Sequence, residues 1–159
     1  MNFVKYNSNS MATLTIRDII LLQQADLEKA IDGPCIWREV TMPDTGIMVT
    51  AIAGPRRSGK SWLAIRHLSG TGSGTFGYID LGDERLGSLS DPGTILAAID
   101  SVYGKETSLL LDGITSLMAW EEFVERLVRE GCRVVIADSS KSLHGPDAGA
   151  RFLELSAIT

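Results

Sequence analysis

Apolar positions along the chain follow two different periods. From Thr15 to Ile31 they keep a helical spacing, at Ile16, Ile19, Ile20, Leu27, Ala30 and Ile31. Thr15, with Asp18 three residues on, has the form of a capping box, and Asp32-Gly33-Pro34 stops the helix. A short segment over Cys35 to Val40 and a turn at Met42 to Gly46 are expected next. Ile47 to Ala53 is a continuous apolar, β-branched run, too short for a useful helix, and predicts a strand covered on both faces. Helical spacing returns at Trp62, Ile65 and Leu68, and Ser69 to Gly74 reads as a connection. Thr75 to Leu81 predicts a second strand. Asp91-Pro92 supplies a cap and a first turn for a helix with its core stripe at Ile95, Leu96, Ile99, Val102 and Tyr103, stopped by Gly104. Ser108 to Asp112 predicts an apolar strand that ends in a carboxylate. Trp120, Phe123, Val124, Leu127 and Val128 mark a further helix, and Cys132 to Ala137 the next strand. A helical turn is expected over Asp147 to Arg151 and a last strand over Phe152 to Ile158. Strands alternating with helices imply an α/β fold with a parallel sheet between two helical layers. Ligands of such folds lie beyond the carboxyl ends of the strands.

The composition narrows the function. The 159 residues suit one domain, and 44% hydrophobic content is enough for a packed core. Residues 1–13 are expected to be a flexible leader and 14–159 a single domain. A net charge of −5 argues against broad nucleic-acid binding, although Arg56, Arg57, Arg66 and His67 form a local basic cluster. That cluster is read first as charge balance around an anion. Two cysteines without a CxxC pair, and two histidines, make neither a disulfide framework nor a zinc set. No apolar run is long enough to span a membrane, and the polar start lacks a signal core, so a cytoplasmic location is expected.

The strongest chemical signal is Gly54-Pro55-Arg56-Arg57-Ser58-Gly59-Lys60-Ser61, which fits the phosphate-binding pattern GxxxxGK[ST] between a strand and a helix. Its glycines let successive amides point inward at phosphates, and the following helix offers its positive end to the same anion. Lys60 would bring charge to the β- and γ-phosphates, and the Ser61 hydroxyl would bind Mg²⁺. The partner element is Leu109-Leu110-Leu111-Asp112, whose carboxylate would hold Mg²⁺ through water.

At these residues the chain resembles AAA+ superfamily ATPases of archaea and bacteria, usually fused to a C-terminal nuclease-like domain. The segment from Ala53 to Ser61 resembles their GPRRVGKT loop, and Tyr78 to Leu86 is similar to their YINFDDPRL. Tyr103 to Glu106, Leu110 to Asp112 and Trp120 to Phe123 follow in the family's order. Ile136 to Lys141 looks like its sensor segment VTGSSS, and Ala150 to Leu155 like its GRFIEIEL. The resemblance implies a P-loop sandwich with a five-stranded parallel sheet in the order 5-1-4-3-2, and MgATP as ligand. It implies that Ser139 or Ser140 senses the γ-phosphate and that Arg151 reads nucleotide in its own or a neighbouring subunit.

The chain departs from the family's pattern at three points, one of them Asp138 in place of the Gly before the sensor serines. The family's LDEIQ carries a Glu that polarises the attacking water; here Gly113 follows Asp112. The family's C-terminal domains are absent from these 159 residues. Because Gly113 supplies no base, slow ATP hydrolysis is expected, with Lys60 and Asp112 in the machinery and Asp138 ranked first as the substitute base, ahead of Asp83, Glu84 and Glu121. The alternatives are a nucleotide switch without turnover and, further off, a small-molecule kinase. A protein partner or self-association would be compatible with either of the first two.

Overall fold

The computed structural model describes residues 13–31, 48–55, 58–70, 76–89, 91–104, 108–139 and 150–154. The segments expected over 35–40 and 42–46, most of the leader, and the 71–74 connection lie outside them. Helix α1 (Ile16–Ile31) opens on the expected box. The Thr15 N–H donates to Asp18 Oδ2 at 2.9 Å, and the Asp18 N–H donates to Thr15 Oγ1 at 3.2 Å. Its apolar stripe is narrower than the periodicity suggested. Ile16, Ile19 and Ile20 are buried, whereas Ala30 and Ile31 are exposed and the polar Gln23 is buried instead.

Five strands follow: β1 (Val49–Ala53), β2 (Phe76–Asp80), β3 (Ser108–Asp112), β4 (Arg133–Asp138) and β5 (Ala150–Glu154). They form one sheet in the order β2-β3-β4-β1-β5, every pair parallel, which is the expected 5-1-4-3-2. Helices α2 (Lys60–Gly70), α3 (Pro92–Tyr103) and α4 (Trp120–Arg129) supply the outer layers with α1. Asp91 caps α3 by accepting the Thr94 N–H at 3.0 Å, with Pro92 in its first turn.

Strand alternation decides which helix each side chain meets. Ala51, Ile79, Leu109, Leu111, Val134 and Ile136 face α1, α3 and α4, packing with Ile19, Ile20, Ile99, Phe123 and Val124. Ile52, Leu110, Val135 and Ala137 face α2, packing with Leu63, Ala64 and Leu68. Leu109, Leu110 and Leu111 are all fully buried, which is why this strand reads as an unbroken apolar run. Each contributes on the order of 1.5–3 kcal/mol by leaving water. Trp120 and Cys132 belong to the first of these cores, as expected.

The last strand departs from expectation. It begins at Ala150, not Phe152, so Arg151 lies in a strand, not in a helical turn. Pairing with β1 explains the shift, since Val49 aligns with Ala150 and Ala53 with Glu154. No helix among the described residues is long and apolar enough to cross a membrane.

Candidate functional site

The registers bring the carboxyl ends of four strands to one edge. Asp80 lies beside Asp112, Asp112 beside Ala137, and Asp138 beside Ala53. The chain leaves β1 at that edge through Gly54 and Pro55 and enters α2 at Lys60. Gly59 has φ +88°, a left-handed conformation that admits glycine readily and turns the loop into the helix. The Ser58 N–H donates to the Pro55 carbonyl at 3.2 Å, which closes the loop on itself. Lys60 is 8% exposed, and its Nζ donates to the Pro55 carbonyl at 2.8 Å. The lysine charge is thereby held over the mouth of the loop. Ser58 Oγ is buried, with no hydrogen-bond partner among the described residues.

Ser61 Oγ donates to Asp112 Oδ2 at 2.8 Å, joining residues 51 apart in the chain. Burial pushes the Asp112 carboxyl up, opposed by the Ser61 bond and the Lys60 charge. A hydroxyl and a carboxylate in contact, beside a lysine and a glycine loop, are an oxygen pair that could hold a Mg²⁺ ion alongside phosphates and water. Among the described residues no group of three or more His, Cys, Asp or Glu could hold a metal by itself. The residues present therefore fit a metal that arrives with its phosphates.

The other expected residues are placed less uniformly. Ser139 directly follows β4, shares the alternation of Val135 and Ala137, and is exposed. Arg56, Arg57 and Ser140 lie outside the described residues. Arg151 pairs with Thr50, three residues before the edge where Ala53 meets Glu154, so its backbone stands roughly 10 Å below that edge.

Asp138 ends the strand next to that of Asp112, and its charge helps to raise the Asp112 carboxyl, but it accepts hydrogen bonds from another turn. Its alternation follows Val134 and Ile136, on the face opposite α2. Its Oδ2 accepts the Thr115 N–H at 2.9 Å and the Thr115 hydroxyl at 2.8 Å, and the residue is 5% exposed. This carboxylate braces the 3₁₀ turn Ile114–Ser116.

Gly113 is more than a missing side chain. It adopts φ +62° and donates its N–H to the Ala137 carbonyl at 3.0 Å. A Cβ here would lie 2.8 Å from the Gly82 backbone nitrogen and 3.2 Å from Asp80 Oδ1. The turn after β2 thus occupies the space a side chain would need.

Asp80 escaped the sequence reading. Its alternation follows Tyr78, on the α2 face shared with Leu110. Burial pushes its carboxyl up, against the bond from the Gly82 N–H, and the neighbouring Asp112 adds to the rise. Its backbone is gripped by Gln23 of α1: the Asp80 N–H donates to Gln23 Oε1, and Gln23 Nε2 donates to the Asp80 carbonyl, both at 3.0 Å. The amide thus stands in for a neighbouring strand at the sheet's open edge. Gln23 Nε2 also donates to Asp83 Oδ2 at 3.0 Å, and Arg85 pairs with Asp83 at 2.7 Å, holding that carboxyl well below its usual range. The available signal was an Asp next to the end of the expected second strand, as an Asp ends the third.

A strand, a glycine loop carrying lysine and serine, and an acidic end on the third strand define a P-loop nucleotide-binding α/β domain. The family model described as "AAA domain" matches residues 47–152. The chain belongs to this family of AAA+ ATPase-type domains. It is 29% identical over 119 residues to the uncharacterized protein MJ1544 of Methanocaldococcus jannaschii, covering 74% of this chain and 27% of that protein. The chain thus spans about a quarter of that relative's length. Among solved structures, that of C. elegans PCH-2 matches with a TM-score of 0.45 and 15% identity, over 94% of this chain and 43% of that one.

Proposed function

We propose that this domain binds MgATP at residues 54–61 and hydrolyses it slowly to ADP and phosphate. The observation that carries the reading is the 2.8 Å bond from Ser61 to Asp112, which joins the loop's metal-binding hydroxyl to the carboxylate of the third strand. Loop amides and the start of α2 would hold the phosphates. Lys60 would exchange the Pro55 carbonyl for phosphate oxygens, a charge-assisted bond in place of a neutral one. Ser61 and Asp112 would hold Mg²⁺, which neutralises charge on the phosphates during transfer. Ser139 is the sensor assigned to the γ-phosphate, since it continues the strand lying between those of the loop and of Asp112.

The left-handed backbone of Gly113 supports slow turnover, because the position after Asp112 can present no carboxylate as it stands. The same observation favours, as the second reading, a switch that binds MgATP without hydrolysing it. Equilibrium MgATP binding and steady-state phosphate release, measured on the wild type and Lys60→Ala, test both. Binding that depends on Lys60 together with measurable turnover is the expected result. Binding without turnover selects the switch, and equal affinity of Lys60→Ala overturns the site.

A further inference from the structure

We infer that Asp80 orients the attacking water in place of the carboxylate that Gly113 lacks. The inference rests on the proposed ATP hydrolysis and extends it to a residue on a different strand. The Asp80 carboxylate is the acidic group that the fold places beside Gly113. Its Oδ1 lies 3.2 Å from where a Cβ on residue 113 would stand. Register sets Asp80 beside Asp112, and strand alternation turns both toward the α2 face that carries Ser61. Oδ1 accepts the Gly82 N–H at 2.9 Å, and Oδ2 accepts no hydrogen bond from the described residues. One oxygen fixes the carboxylate, and among the described residues nothing ties the other. Gln23 holds the backbone from both sides, so the group is positioned before substrate arrives.

The other acids near this edge are held by other partners or lie exposed. Asp138 holds Thr115 and faces the opposite layer, and Asp83 is tied to Arg85 and Gln23. Glu84 and Glu121 are exposed, at the start of a 3₁₀ turn and of α4. In the step itself the water oxygen bonds to the γ-phosphorus. The bond to the β–γ bridging oxygen breaks, with its electron pair leaving on ADP. The water's protons end on the product phosphate and in solvent. Asp80 accepts a hydrogen bond from that water, directly or through one further water.

The test uses the full chain and measures MgATP affinity, kcat and KM for the wild type, Asp80→Asn, Asp80→Glu and Lys60→Ala. Asn retains an oxygen for the Gly82 N–H, so a purely structural role would survive that change. The expected result is a fall in kcat of about 100-fold in Asp80→Asn, the low end of what a positioned base contributes. Nucleotide affinity and melting temperature should stay near the wild type, and Asp80→Glu should recover part of kcat. Wild-type kcat in Asp80→Asn overturns the inference, as does a wild type that binds ATP without turnover. Should Asp80→Asn melt early, a folded Asp80→Glu with no greater kcat than Asp80→Asn overturns it too. Failure of the ATP site itself reads differently, as MgATP affinity that is absent or indifferent to Lys60→Ala.

Discussion

Replacing Gly113 by Glu restores the residue type that the family carries after its strand-end Asp, yet this fold should resist it. The backbone stands at φ +62°, where a side chain with a Cβ costs about 1–2 kcal/mol. The new Cβ would meet the Gly82 nitrogen at 2.8 Å, and that neighbour is backbone, which cannot swing aside. Overpacking of this kind costs about 1–3 kcal/mol. The two add to about 2–5 kcal/mol, a large part of the roughly 5–15 kcal/mol that stabilises a domain. A third carboxylate beside Asp80 and Asp112 adds repulsion to the Glu variant alone. Urea denaturation of the wild type, Gly113→Ala and Gly113→Glu separates these effects, because Ala has the strain without the charge. Both variants should unfold at lower urea, Gly113→Glu the lower of the two, with no gain in ATP turnover. A Gly113→Glu protein as stable as the wild type and faster in turnover would refute the reasoning. It would mean that the turn relaxes freely and that only a side chain was missing.

Two further outcomes follow from buried polar atoms. Ser58→Ala removes a buried hydroxyl with no partner among the described residues and should raise stability by about 1 kcal/mol, seen as a higher urea midpoint; a lower midpoint would show that the hydroxyl is satisfied in solution. Asp112 has its carboxyl raised by burial, so its contribution to stability is fully present below the unfolded pKa and is lost as pH rises through the folded one. Asp112→Asn should therefore be more stable than the wild type at neutral pH without nucleotide, with the advantage vanishing in acid; an advantage independent of pH would refute the burial argument.

The loop from Gly54 to Ser61 was legible in the sequence because its chemistry is local. Glycine, lysine and serine at fixed offsets, between an apolar run and a helical stripe, determine where amides and charge will point. The buried strands were legible for a related reason: a strand covered on both faces must be apolar throughout, and Leu109 to Leu111 could serve little else. Resemblance to a family added the strand order, which the registers bear out. The functional assignment of the carboxylates was a different matter. The apolar run before Asp112 marked that residue, but local sequence did not show which of Asp80 and Asp138 would stand beside Gly113. Pairing between strands placed Asp80 beside Asp112, and one step of alternation turned Asp138 to the opposite face, onto Thr115. The register of β5 set Arg151 below the edge, and the close approach of the Gly82 turn made Gly113 a backbone requirement. Local sequence determines period, caps and loop chemistry through contacts within a few residues. Register and facing are decided by which distant surfaces can be buried together, and here those choices selected the acid that stands beside Gly113.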